Sequence, residues 1–241
     1  MNFLCEEELA KVLPIQQAES TQMVYEIARD TQGYEKHVLR AFCAVILESV
    51  YGVRGTRALT DRFFEIQDEW AGMLDMGAMP PLDVFPWLKH VPSVMTPWPR
   101  WKERSAELGR AQSGFYKGLF ERGKEMVIKG GMGDTFLATL LERQEKEGFT
   151  DIEVVYLGGF LLEAGADTTA VALIVFILSM AAHPDVQRRA QDEIDRAFGD
   201  KLPQDVDGSQ LPFLEAVFWE VRQLGICLEH KMGNITLTDA L

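Results

Sequence analysis

The residues best suited to chemistry are Asp167, Thr168 and Thr169, preceded by Ala164-Gly165-Ala166. They interrupt a long apolar segment that runs from about Val154 to Ala182. Ala164 and Thr168 are four apart and so share one face of a helix. With Gly165 beside them, that face has almost no side-chain bulk, and a flat, wide cofactor can lie against it. A threonine hydroxyl can also bond back to the carbonyl four residues earlier, which bends a helix or opens a local bulge. The adjoining acid carries a titratable proton. A hydroxyl next to an acid, beside a small-residue face, can relay protons. Taken alone, the six residues equally allow a plainer reading: local hydrogen bonding by Asp-Thr-Thr, and an Ala/Gly face that lets helices pack closely.

A helix must position these groups. Thr150-Asp151-Ile152-Glu153 has the S/T-x-x-E form of a capping box and marks its start. His183-Pro184 marks its end. About 30 residues at ~1.5 Å each span roughly 45 Å, enough to cross a domain. The sequence therefore predicts that 151–181 is the longest helix, buried through the middle of a helical domain because it is apolar nearly all round. A transmembrane span is the alternative. Glu163 and Asp167 near its middle oppose it, each costing about 2.5–3.5 kcal/mol in a bilayer.

The rest of the chain reads as helical too, and the expected fold class is mainly α. Apolar residues recur at three- and four-residue steps, and alternating strand patterns are scarce. Helices are expected at about 15–29, 36–50, 58–77, 100–128, 134–146, 151–181, 184–198 and 210–222. Between 80 and 99 lie Pro80, Pro81, Pro86, Pro92, Pro97 and Pro99, six of the ten prolines, so one helix cannot run through. Phe85, Trp87, Trp98 and Trp101 are interleaved with them, with Lys89, Arg100 and Lys102 nearby. A surface connection packed by its aromatics is the favoured reading of 80–101. An apolar lid or a membrane-dipping loop is the sharper one, since aromatics flanked by cations suit a bilayer interface.

Bulk properties exclude several functions. The 241 residues carry 24 Lys and Arg against 37 Asp and Glu, a net charge of −13. Such a chain repels nucleic acid. The three cysteines, Cys5, Cys43 and Cys227, form neither a disulfide framework nor a C-x-x-C metal pair. Glu6, Glu7 and Glu8 stand where a signal peptide needs a basic and then an apolar stretch. No metal site is expected. The acidic group Asp192, Glu193 and Asp195 has the look of a magnesium site for prenyl transfer, but neighbouring arginines neutralise it and no second acidic motif faces it.

Glu163 through Thr169 reads Glu-Ala-Gly-Ala-Asp-Thr-Thr. This resembles the oxygen-activating A/G-G-x-D/E-T-T/S motif of the haem-thiolate monooxygenases, the cytochromes P-450. Pro81 to Pro92 is similar to the helix and loop that cover the substrate in fungal members. Leu13 to Ser20, Val50-Tyr51-Gly52, His183 to Gln187 and Leu211 to Val217 also look familial, in the right order over about residues 10–221. The resemblance implies haem as cofactor and a hydrophobic small molecule as substrate, into which one oxygen atom of O2 is inserted. It implies an NADPH-cytochrome reductase as partner, the endoplasmic reticulum membrane surface as location, and fungal secondary metabolism as setting. By the same resemblance Thr168 would hydrogen-bond the oxygen at the iron, and Asp167 would help deliver protons for O–O cleavage. Ala164, Gly165, Thr168 and Thr169 would line the distal haem face, and Phe160 and Ala164 would face substrate. An axial thiolate would supply the electronic push.

The pattern then departs from the family. The axial cysteine belongs to an F-x-x-G-x-R-x-C-x-G loop, which has no match here; Gly225 stands where Cys227 as ligand would require Arg. The family's Glu-x-x-Arg pair is also absent. Glu220 and Arg222 are two apart, about 200° around a helix, and cannot meet. No membrane anchor and no Trp/Arg helix for the haem propionates precede the matching region. The sequence thus reads as 1–221, an internal fragment of a cytochrome P-450 domain, followed by a non-familial tail, 222–241, read as translated intron or misjoined sequence. Gly225 and Gly233 are expected to break the helix early in that tail. The fragment alone is expected to be inactive. The competing reading is a non-catalytic helical ligand-binding or interaction protein derived from the family. The membrane surface is implied for a full-length protein; with no anchor among these residues, the expectation for this chain is cytoplasmic or unknown.

Overall fold

The computed structural model describes residues 6–130, 135–200 and 210–229. Eight α-helices and two short 3-10 turns occur among the described residues, and no strand. The helices are α1 (Glu6–Arg29), α2 (Tyr34–Tyr51), α3 (Arg57–Leu74), α4 (Trp101–Ile128), α5 (Phe136–Glu147), α6 (Asp151–Ala182), α7 (Pro184–Phe198) and α8 (Pro212–Glu229). The mainly helical class holds, and each expected helix is present.

Two compact units emerge, one of Met1–Glu19 with Cys43–Gly165, the other of Ser20–Phe42 with Ala166–Leu241. In the first, α3 packs on α4 and α4 on α5. Its buried side chains include Leu47, Tyr51, Phe63, Leu119, Phe120, Leu137 and Leu162. Gly123 lets α4 approach closely: a Cβ there would lie 2.8 Å from the Tyr51 carbonyl oxygen and 2.6 Å from the Leu137 side chain. In the second unit, Val38 packs with Ala170 and Ile174. Met180 packs with Val217 and Val221, joining the end of α6 to α8.

The ends of helices follow local chemistry. At α6 the capping box forms in full. The Thr150 amide donates to Glu153 Oε2 at 2.8 Å, and the Glu153 amide donates back to Thr150 Oγ1 at 3.4 Å. Pro184 opens α7 at its first turn, where its missing N–H is no loss. Gly148, at φ +75°, closes α5 in the left-handed conformation that glycine adopts freely.

Three boundaries differ from the sequence expectation. α1 begins at Glu6 and runs through Pro14. α3 stops at Leu74, short of residue 77, where Gly77 adopts φ +87° in the following turn. α8 continues past residue 222 to Glu229, so Gly225 does not end it. Glycine weakens a helix by about 1 kcal/mol but does not forbid one. The expected break at Gly233 lies outside the described residues.

The 80–101 region is packed in part and exposed in part. Short 3-10 turns form at Pro86–His90 and Ser93–Met95. Trp101 is buried, and the Trp98 ring N–H donates to the Gly77 carbonyl at 2.8 Å. Lys102 Nζ donates to the carbonyls of Lys89 and Val91 at 2.7 and 2.8 Å, fastening the connection to α4. Phe85, Trp87, Val94 and Met95 instead face solvent, Trp87 with 61% of its surface exposed.

Candidate functional site on helix α6

α6 is a 32-residue helix with two opposite faces. Gly158, Leu162, Ala166, Ala170 and Ile174, each four residues from the next, are buried. Tyr156, Phe160, Ala164 and Thr168, offset by two residues and thus by about 200°, are exposed. The expectation of burial on all sides is therefore not met. An apolar helix with no polar face gives no signal of which side is covered. α6 is also the one helix among the described residues long and apolar enough to cross a membrane, with only 22% of its most apolar stretch buried.

The exposed face gathers most of the residues read from the sequence. Phe160 is 67% exposed. Ala164 follows one turn later, then Asp167, Thr168 and Thr169, all exposed. Asp167 and Thr169 flank Thr168 at about 100° to either side. Gly165 stands apart. A Cβ built there would lie 3.0 Å from Ile46 Cδ1 of α2, so its small size admits α2 rather than clearing the Ala164 face. Within 164–169, Gly165 serves close helix packing while Ala164 lies exposed.

A polar cluster that sequence reasoning did not single out lies one turn earlier. Glu163 Oε1 accepts hydrogen bonds from Gln112 Nε2 at 2.6 Å and from the Tyr116 hydroxyl, both on α4. Tyr51, 1% exposed, lies over Gly158, and its buried hydroxyl finds no hydrogen-bond partner among the described residues. Burial raises the Tyr51 phenol well above its ordinary range, helped by the Glu163 charge. Burial likewise raises Tyr116, reinforced by its hydrogen bond to Glu163. The sequence signal existed. An acid in an apolar helix demands a partner, and Gln112 and Tyr116 stand one turn apart on α4.

The acidic group on α7 has a structural use. Glu193 accepts from the Phe213 and Leu214 amides at 3.0 and 2.8 Å, capping the first turn of α8. Arg189 stacks over the Phe213 ring at 4.1 Å. Among the described residues no group of His, Cys, Asp and Glu could hold a metal ion. Arg222 lies over the Trp219 ring at 5.0 Å, a contact with the residue three before it rather than with Glu220. Cys43 is buried in α2.

The sequence model of the cytochrome P-450 family matches residues 1–222. The chain belongs to the cytochrome P-450 family. Among its relatives, the cytochrome P-450 monooxygenase macC of Penicillium terrestre is 32% identical over 226 residues, 90% of this chain and 41% of the relative. The cytochrome P-450 monooxygenase yanC of Aspergillus niger is 32% identical, over 91% of this chain and 42% of the relative. A cytochrome P-450 monooxygenase of Armillaria gallica is 34% identical, over 88% and 40%. The chain thus spans about two-fifths of the length of these curated relatives. They are fungal, as the resemblance implied.

Proposed function

We propose that the exposed face of α6 forms one wall of a haem pocket in a cytochrome P-450 monooxygenase acting on a hydrophobic organic substrate. The observation that carries this reading is the uncovered strip Phe160–Ala164–Thr168, three successive turns of one long helix whose opposite face is packed. The strip fits a flat macrocycle. Ala164 adds only a methyl group to the helix surface, and the hydroxyl and carboxyl groups follow within one turn. When bound, haem would supply the activation of O2.

The residues of this chain do the rest. Ala164 sets how closely the helix backbone approaches the cofactor plane. Thr168 orients a hydroxyl toward the reacting side, and Asp167 passes protons to that side from solvent. Thr169 adds a second hydroxyl at the edge of the same face. Phe160, one turn before Ala164, gives the substrate an apolar surface. Gly165 contributes indirectly by letting α2 come close.

The axial ligand is not among the residues just named. Cys43 is buried in α2, and the sequence around Cys227 lacks the ligand-loop pattern. We therefore propose that the 241-residue chain alone does not form thiolate-ligated haem and is inactive. The test is a difference spectrum of the reduced, carbon-monoxide-treated chain after haem addition. No thiolate-type band is expected, and its appearance would overturn this part.

The non-catalytic reading gains support from Arg222, which stacks on Trp219 and, two residues from Glu220, is out of phase for the family's Glu-x-x-Arg pair. The proposal that 222–241 is misjoined sequence is supported by the family match ending at residue 222. Sequencing the mature transcript decides it: a message encoding Arg222–Leu241 followed by a stop makes the tail genuine and favours the non-catalytic protein.

Two partners follow from the family reading: an NADPH-cytochrome reductase and the endoplasmic reticulum membrane surface. Membrane contact would run through Phe85, Trp87, Val94 and Met95, exposed apolar side chains with Lys89 and Arg100 nearby. Binding to phospholipid vesicles should weaken on Trp87→Ser. Equal binding by the two proteins would count against that contact.

A further inference from the structure

Something must set the rotation of α6, because its apolar side chains, present all round, do not. Two features in α4 supply a direction. The first is the pair of donors, Gln112 and Tyr116, one turn apart and both bonded to Glu163 Oε1. The second is the Tyr116 ring, which lies on Gly159 so closely that a Cβ there would sit 2.6 Å from Cδ2. Tyr156 closes the arrangement with an edge-on ring contact to Tyr116, 6.2 Å between centroids. Turning α6 by one residue moves each side chain about 100°. That would withdraw the acceptor from both donors, and in the sense that brings Phe160 round it would drive a Cβ into the Tyr116 ring. This hydrogen-bonded, sterically closed contact resists rotation, in addition to the close packing of Gly158 on Tyr51 and Gly165 on Ile46.

We propose that Glu163 is a positioning residue. Held by Tyr116 and Gln112, its carboxylate fixes the rotation of α6 and hence the direction in which Ala164, and Thr168 one turn further along the same helix, present themselves. The consequence for catalysis rests on the reading of that face given above; the contact itself does not.

Hydrogen–deuterium exchange on the full 241-residue chain tests it. In Glu163→Leu and Tyr116→Phe, amides of residues 160–168 should exchange about tenfold faster or more, the scale set by losing a hydrogen bond to a charged group. Amides of α7 should be unchanged. Glu163→Gln keeps an accepting oxygen and should stay within about threefold of the parent. The proposal is overturned if Glu163→Leu exchanges like the parent, or if Glu163→Gln is as fast as Glu163→Leu. Should Glu163→Leu not fold, Tyr116→Phe decides alone, since it keeps the ring and removes one donor; parental exchange would overturn the proposal. Failure of the monooxygenase reading looks different. It would appear as unchanged oxygen coupling in Thr168→Ala within a longer chain, with the exchange result intact.

Discussion

The Tyr51 side chain rests on Gly158 with no room to spare: a Cβ at 158 would lie 2.6 Å from the hydroxyl oxygen and 2.9 Å from Cζ. Tyr51 is buried and cannot swing into solvent. Gly158→Ala should therefore destabilise the chain although alanine is the better helix former. Overpacking costs about 1–3 kcal/mol against a propensity gain of about 1 kcal/mol. Chemical denaturation should show a net loss of up to about 2 kcal/mol, and a gain in stability would contradict the packing.

Tyr51→Phe carries the opposite expectation. It removes a buried hydroxyl that has no hydrogen-bond partner among the described residues, which is neutral or stabilising. It also removes the atom nearest the added Cβ, so it should recover part of the Gly158→Ala loss. The double-mutant cycle should show coupling of about 0.5 kcal/mol or more, and strict additivity would contradict the contact.

Alkaline pH should weaken the fold through the same cluster. Tyr51 and Tyr116 are both raised by burial and by Glu163, so the folded chain holds their protons more tightly than the unfolded chain does. This stability is complete below the unfolded phenol value near pH 10 and is lost as pH rises beyond it. Thermal midpoints measured from pH 8 to 11 should fall at the upper end, less steeply in a Tyr51→Phe/Tyr116→Phe chain.

Acid should act at Glu26. Burial pushes its carboxyl upward, but hydrogen bonds from Gln22 and Arg40, with the Arg40 and His37 charges, outweigh this and hold it below 4.5. The stabilisation is full above the unfolded value of 4.5 and is lost as pH falls through the lower folded value. Glu26→Gln should flatten the stability curve below pH 4.5; an unchanged acid limb would show that the ion pairs contribute nothing there.

Much of this was legible in the residues. The helices followed from apolar periodicity, and Thr150 with Glu153 marked the start of α6 correctly. The placement of Ala164 and Thr168 on one face followed from their spacing alone. What the sequence left open was long-range. α6 is apolar on every side, so nothing in it says that Phe160 is uncovered while Leu162 is buried. Gly165 looked like part of the open face because its missing side chain has no visible direction; only the position of Ile46 shows which way it points. Glu193 read as part of an acidic cluster because its partners, the Phe213 and Leu214 amides, are about twenty residues away and carry no side-chain signature.

Thr168 is the residue on which the proposed haem wall of α6 turns. The most direct test is oxygen coupling in a longer, haem-loaded chain that contains this segment, comparing the parent with Thr168→Ala. Product formed per O2 consumed should fall several-fold, with hydrogen peroxide released in its place and haem content unchanged. Unchanged coupling in Thr168→Ala would remove Thr168 from oxygen activation and contradict the reading of this face as the catalytic wall.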